Sequence, residues 1–251
     1  MSAEQFQVSN FGLPEGLLKD KRDVYYRKAK EEGYRARSAY KLVQVAQRFN
    51  LFEGVKRAVD LCAAPGSWSQ VLSEHLPRED SFVVAVDLQE MAPIAGVTCL
   101  QGDITSAATA EQVIAACGGE LADLVVCDGA PDVTGLHELD EFVQFQLLLA
   151  AFRIAAVLLR PGGSFVAKIF RGENSQLLFA KFELFFRHVI VAKPRSSRNS
   201  STEAFVICKD FCLPDNFVPS LDVPLNHAGH IGPFLLSGDL TGFDLHSNQL
   251  Y

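Results

Sequence analysis

The sequence predicts a single α/β domain of Rossmann-like type. It should hold a mostly parallel seven-stranded sheet with an antiparallel last strand and helices on both faces. Three observations carry this. Apolar strand-like runs alternate with helix-like runs from about residue 56 to residue 186. A turn of small residues, Asp60-Leu-Cys-Ala-Ala-Pro-Gly-Ser-Trp-Ser-Gln70, joins the first such strand to the first such helix. Two final strand-like runs, His188–Ala192 and Ala204–Cys208, are separated by Pro194–Ser201, which is too short for a helical crossover, so they pair antiparallel.

Residues 1–18 read as a loose leader. A helix is expected over 22–32, ended by Gly33, and a second over 38–49 with Ser38 as its N-cap. Leu42, Val45, Ala46 and Phe49 recur at helical spacing and form the buried stripe of that second helix. Strands are expected at 56–62, 82–87, 97–101, 122–128 and 163–170, and helices at 67–76, 109–117, 138–159 and 174–186. The domain so defined spans 19–210, with 19–50 as a basic helical arm. Residues 211–251 form an irregular extension packed on it by Phe217, Phe234, Leu235, Leu236 and Phe243.

Composition narrows the class. The 251 residues are 48% hydrophobic, enough for a large core and too apolar for a disordered chain. No apolar run approaches the ~18 residues of a membrane span, and the first residues resemble neither a secretory signal nor an Arg-rich presequence. Six cysteines without a C-x-x-C pair suit reduced thiols in a cytosolic or nuclear protein. Cys208-x3-Cys212 and His227-x2-His230 lack paired zinc-site spacing, so no metal is expected.

Charge is unevenly spread. Residues 19–48 hold ten Lys or Arg against four Asp or Glu, in a chain of net charge −7. Tyr25, Tyr26, Tyr34 and Tyr40 lie within that run. Cations that bind phosphate, interleaved with aromatics that stack on bases, are what RNA contact requires. Arg27, Lys28, Arg35 and Arg37 are the candidate contacts, joined by Arg195 and Arg198 of the basic loop Lys193-Pro-Arg-Ser-Ser-Arg198.

The chemistry is read from the strand ends, because open α/β sheets bind ligands outside the carboxyl ends of their strands. The turn at Gly66 lacks the second and third glycines of the dinucleotide fingerprint. A cofactor with a nucleoside at one end and an amino acid at the other fits better, and S-adenosylmethionine (SAM) is the candidate. Asp60, Asp87, Asp103 and Asp128 all fall at strand ends, as a binding crevice needs; each alone reads as an Asp that caps a helix or closes a turn. Asp87 lies 21 residues past Gly66, near the spacing of a ribose-binding acid. Asp103 suits an adenine amine. Lys168 lies in the strand-like run Ser164-Phe-Val-Ala-Lys-Ile-Phe170, where burial and neighbouring cations would lower its pKa and suit it as a base or hydroxyl-orienting group. Lys41 falls in the first turn of its helix, where the dipole disfavours a cation. Glu203, at the start of the last strand, reads alone as an ordinary strand-end charge.

These motifs together resemble the FtsJ-like RNA ribose 2′-O-methyltransferases. The matching residues are Arg35-Ala-Arg-Ser-Ala-Tyr-Lys-Leu42, the Asp60–Gln70 turn, Gln101-Gly-Asp103, Cys127-Asp-Gly-Ala-Pro-Asp132, Pro161-Gly-Gly-Ser-Phe-Val-Ala-Lys168 and Lys193-Pro-Arg-Ser-Ser-Arg-Asn-Ser-Ser-Thr-Glu203. The resemblance implies a class I SAM-dependent methyltransferase fold and a Lys41–Asp128–Lys168–Glu203 catalytic tetrad. It also implies SAM-binding positions at Gly66, Trp68, Asp87, Asp103 and Asp128. The Lys19–Arg27 opening and the Gly232-Pro-Phe and Ser237-Gly-Asp-Leu-Thr-Gly-Phe-Asp244 segments are similar to the eukaryotic branch that methylates the tRNA anticodon loop (positions 32 and 34). That branch implies tRNA as partner and an auxiliary protein subunit for site selection, with no membrane. Ribosomal RNA, an mRNA cap, or an inactive RNA-binding scaffold on the same fold stay open as alternatives.

Overall fold

The computed structural model describes residues 9–10, 21–77, 79–130, 137–170, 175–198, 201–215 and 217–221. The rest of the leader, Lys19 and the tail from 222 onward lie outside the described residues, so the expectations for Phe234 to Phe243 and the Ser237 motif do too. The elements, in order, are β1 (Ser9–Asn10), α1 (Lys21–Glu31), α2 (Ala39–Phe49), β2 (Arg57–Leu61), α3 (Ser67–His75), β3 (Phe82–Asp87) and β4 (Val97–Gln101). They continue with α4 (Ala107–Ala116), β5 (Ala122–Cys127), α5 (His137–Leu158), β6 (Leu159–Phe170), α6 (Ser175–Phe182), β7 (Phe186–Lys193) and β8 (Glu203–Phe211).

The sheet runs β1-β7-β8-β6-β5-β2-β3-β4. Strands β2 to β6 pair parallel, and β8 pairs antiparallel with both β6 and β7. The seven expected strands are all present, and Ser9–Asn10 adds a two-residue edge beside β7. Strand β6 begins at Leu159, earlier than the expected 163, so Pro161-Gly-Gly is absorbed into it at a register shift opposite Ala122/Leu124.

The sheet has a core on each face. On one, Trp68, Leu72, Leu42, Val45 and Ala39 from α2 and α3 cover Ala58, Val126, Val166 and Phe205. On the other, α4, α5 and α6 cover Val59, Leu61, Val125 and Phe165. There Phe152 packs edge-on to Phe182 and Phe185, both at 5.1 Å between ring centroids. Phe217, at the start of the extension, meets Phe185 at 5.0 Å.

One compositional expectation needs correcting. The α5 stretch Asp140–Leu158 is long and apolar enough, by length and composition, to cross a membrane. Its apolarity has a local cause: Ala151, Phe152, Ile154, Ala155 and Leu158 are buried against the sheet.

The cap at α2 also differs. Ser38 occupies the N-cap, but its hydroxyl meets Ser67 Oγ at 2.7 Å and makes no cap hydrogen bond. The backbone before it already turns helically, with Ala39 N donating to Ala36 O and Tyr40 N to Arg37 O. Ser38 O in turn accepts from Trp68 Nε1 at 2.9 Å. The start of α2 is thereby fastened to the start of α3, which follows the small-residue turn.

Candidate active site

Each functional side chain reaches the site from a strand end or from α2. Asp128 directly follows β5, and Lys168 stands in β6, one residue past the last β5–β6 register pair, Cys127↔Ala167. Lys168 Nζ lies 2.5 Å from the Asp128 carbonyl oxygen and 3.1 Å from Asp128 Oδ1. In the antiparallel register Lys168 faces Phe205 and Phe170 faces Glu203, so alternation puts Glu203 on the Lys168 face of the sheet. Helix α2 crosses that face, and Lys41 Nζ donates to Glu203 Oε2 at 2.8 Å and lies 5.8 Å from the Phe205 ring centroid. Glu203 answers the puzzle of a lysine in a first helical turn that holds no acid of its own.

The four groups form two ion pairs whose side chains keep only 11% to 16% of their surface exposed. Burial raises the pKa of Asp128 above the usual carboxylate range, although Lys168 and Lys41 both pull it down. Burial also pushes Glu203 up, but there Lys41 and the Ser197 hydroxyl outweigh it, and its pKa ends below the ordinary value. Each lysine is felt by the carboxylate of the other pair, so the structure brings the four predicted tetrad residues together as one electrostatic unit. Ser197, which lies inside the basic loop but has no role assigned from sequence, donates to Glu203 Oε1 at 2.8 Å.

A cavity of about 570 Å³ opens beside Lys168 and Asp128. That lies within the ~300–1,000 Å³ of small-molecule sites. Its walls include Cys62, Asp87, Leu88, Gly102, Asp103, Ile104, Gly129 and Leu147. Gly129 is required there, because a Cβ would come within 2.8 Å of Cys62 Sγ. Asp87 and Asp103 combine both readings of a strand-end acid. Asp87 accepts from Ala64 N and Gln89 N, both at 2.8 Å, and Asp103 Oδ1 accepts from Thr105 N at 2.9 Å; yet both face the cavity. A second cavity, of about 610 Å³, is lined by Arg35, Gln70, Glu74 and Ile94. None of the tetrad lines it, so the chemistry belongs to the first.

Three of the expected cofactor positions are not in the cavity wall. Gly66, at φ +104°, starts α3, and a Cβ on it would meet Ile94 Cδ1 at 2.7 Å and Arg35 Nη1 at 2.9 Å. The Trp68 side chain is buried, with its ring 5.6 Å from Phe205. Asp60 lies within β2 and is fully buried; Oδ2 accepts from Ser69 Oγ at 2.6 Å and Oδ1 has no partner. The Trp68 and Asp60 side chains hold the turn from behind, through Ser38 and Ser69.

Burial lifts the Asp60 pKa to about 7, with the charges of Asp128 and Asp87 adding to the effect against the Ser69 hydrogen bond. A raised carboxyl pKa gives stability that is present below the unfolded value and lost as pH rises to the folded one. Wild type should therefore lose stability relative to Asp60→Asn between about pH 4 and pH 7, by at most about 1.4 kcal/mol per pH unit. Urea unfolding of both proteins across that range measures the difference; parallel curves would rule out a neutral Asp60.

The basic arm requires a second correction. The Arg35 guanidinium is spent on backbone carbonyls: Nη1 donates to Pro65 O at 2.9 Å and Ala92 O at 2.8 Å, and Nη2 to Pro93 O at 2.9 Å. Arg37 Nη2 donates to Ser196 O at 2.6 Å. Both arginines tie the arm to the domain. Tyr25 and Tyr34 pack on Tyr40 at 5.4 and 5.8 Å, leaving Tyr26, 62% exposed, as the arm's outward aromatic. Arg27 and Lys28 are exposed, Lys28 lying over the Tyr40 ring and pairing with Glu32 at 3.6 Å. Arg195 and Arg198 are exposed on the loop before β8 and carry no ion pair among the described residues.

Comparison with known proteins agrees with this architecture. The family model for FtsJ-like methyltransferases matches residues 34–211. The tRNA (cytidine(32)/guanosine(34)-2′-O)-methyltransferase of Schizosaccharomyces pombe is 58% identical over 240 residues, covering 90% of this chain and 84% of that protein. The human protein of the same name is 57% identical over 240 residues, with 90% and 73% covered. Ribosomal RNA large subunit methyltransferase E of Methanothrix thermoacetophila is 43% identical over 217 residues, with 86% and 84% covered. Among solved structures, a putative ribosomal RNA methyltransferase from Plasmodium falciparum shares the fold, with a TM-score of 0.63 at 24% identity, over 71% of this chain and 98% of that one. This chain belongs to the FtsJ-like methyltransferase family.

Proposed function

We propose that the protein transfers a methyl group from SAM to a ribose 2′-hydroxyl in the anticodon loop of tRNA, at positions 32 and 34. The observation that carries the chemistry is the pair of interlocked ion pairs, Lys168–Asp128 and Lys41–Glu203, the first of which lines a cavity that the carboxylates of Asp87 and Asp103 also line. Relatives at 54–58% identity carry names that state this tRNA activity, and they support the choice of substrate.

The cavity residues suit SAM by their chemistry. Asp87 and Asp103 offer carboxylate oxygens for ribose hydroxyls and an adenine amine, and Leu88 and Ile104 offer an apolar slot for a ring. Gly66 and the residues around it would hold the amino-acid end through backbone. When bound, SAM supplies a methyl group activated by its positive sulfur. The chain's own task is mainly alignment. Lys168 Nζ, held by two oxygens of Asp128, would meet the 2′-hydroxyl and, in its neutral form, take the hydroxyl proton on Nζ as the oxygen attacks. Lys41 and Glu203 fix the charge around that pair. Arg195, Arg198, Arg27 and Lys28 face solvent and would take RNA phosphates. A separate subunit that selects the nucleotide and a cytosolic or nuclear setting belong to the same reading.

The test is incubation with labelled SAM and separate pools of tRNA, ribosomal RNA and capped RNA, followed by mapping of the methylated ribose. Label at tRNA positions 32 and 34 is the expected result. Label only on another RNA, or elsewhere in tRNA, would overturn the substrate; no transfer to any pool would overturn the reaction.

A further inference from the structure

Gln144 stands on α5 with 4% of its surface exposed. Its Nε2 donates to two backbone carbonyls, Lys168 O at 2.8 Å and Gly129 O at 3.1 Å. Both partners accept only, so the amide must turn its nitrogen toward them, and Oε1 is left without a partner among the described residues. The two carbonyls are not a random pair. One belongs to Lys168 itself and the other to the residue after Asp128. Both lie past the Cys127↔Ala167 pair at which the β5–β6 ladder ends. Beyond that point no further ladder pair sets their spacing; Lys168 Nζ reaches the Asp128 carbonyl through its own flexible side chain, and a side-chain amide from a third element adds two hydrogen bonds to the backbone itself.

We propose that Gln144 is a positioning residue for the methyl transfer: its amide fixes the separation and orientation of the two strand ends that carry Asp128 and Lys168. The inference rests on the proposed methyltransferase reading and adds a residue to it. The local arrangement favours a role in alignment over general packing. A core residue chosen for stability alone would be a leucine, as at Leu148 on the same helix. Here a buried amide is kept although one of its atoms goes unsatisfied, and its hydrogen bonds go to the backbone of the reacting pair. Asp128 Oδ1 meets Lys168 Nζ at 3.1 Å and has no other partner among the described residues, so the spacing of the two strand ends sets that contact. Neighbours on α5 share the location, since Val143 and Leu147 line the cavity itself.

The test uses Gln144→Leu and Gln144→Glu beside wild type and Lys168→Ala, all assayed on the same tRNA. Misplacing a reacting group by about 1 Å costs up to about 100-fold. Gln144→Leu should therefore lower kcat by about 10- to 100-fold while KM for tRNA and the Kd for SAM, from calorimetry, stay unchanged. Gln144→Glu adds a readout that packing alone would not move. Its carboxylate cannot donate, but its protonated form regains one hydrogen bond to a carbonyl. Its activity relative to wild type should rise as pH falls. Unchanged kcat in Gln144→Leu overturns the proposal, and so does a loss of SAM affinity that matches the loss of kcat. Should Gln144→Leu fail to fold, Gln144→Glu decides: a relative activity that does not change with pH overturns the proposal. Failure of the wild-type chain to methylate would instead strike the proposed function and is read separately.

Discussion

Lys168→Ala is expected to lower methyl transfer by about 100- to 10,000-fold, the range of a positioned proton-transfer group, while SAM still binds. The lysine touches Asp128 through two oxygens and has no part in the turn that precedes α3. Its loss leaves Asp128 buried and without the largest charge that lowers its pKa. Such a carboxyl responds by taking up a proton, which spares the fold the cost of an isolated buried charge. The variant should therefore fold, bind SAM in calorimetry and fail only in transfer. The loss should fall on kcat, with the KM for tRNA nearly unchanged, because the proposed phosphate contacts lie on the arm and on the Arg195–Arg198 loop, away from Lys168. Near-normal kcat would remove Lys168 from the reaction.

The sequence made the seven main strands legible because each contains an apolar run; the two polar residues of β1, Ser9–Asn10, offered none. Strand β4, Val97–Gln101, and strand β3, Phe82–Asp87, lie at the expected residues. Boundaries shifted where a glycine pair sat inside a strand, as at β6, since Gly162 and Gly163 look like a turn, whereas they fall at the register shift between the pairs Ala122↔Leu159 and Leu124↔Ser164. The lysines and carboxylates of the site were legible through their motifs, because residue type and order survive in one dimension. Which of them face the cavity was not. Asp60 and Asp87 look alike on paper, yet β2 is a central strand and buries Asp60, while Asp87 ends β3 at the open mouth. Arg35 looked like a phosphate ligand because its three carbonyl partners, Pro65, Ala92 and Pro93, are 30 or more residues away. Gln144 gave no signal, being one glutamine in an apolar helix; only the fold reveals that its amide meets Lys168.

Glu203→Gln should reduce stability and activity together, with pH signatures that separate the two. The amide keeps the shape of the side chain and an acceptor for Ser197, but it leaves Lys41 buried without its counter-charge. Removing one partner of a buried pair costs about 3–5 kcal/mol, and the residual exposure of Lys41 places this case at the lower end. Glu203 has a depressed pKa, so its stabilisation is present above the ordinary value of 4.5 and is lost as pH falls through the folded value. The gap between wild type and variant in urea should accordingly be open at pH 7 and close on acidification well below that value. Activity should respond in the opposite sense along the pH axis. Asp128 must be ionised to hold Lys168, and Glu203 is one of the groups that raise its pKa. Without that neighbouring carboxylate the Asp128 pKa falls, so the acid limb of the kcat profile should move to lower pH even as its maximum drops. A stability gap that persists in acid would separate Glu203 from Lys41. An acid limb that stays in place would show that the two ion pairs titrate independently, and the four groups would then have to be treated as two sites.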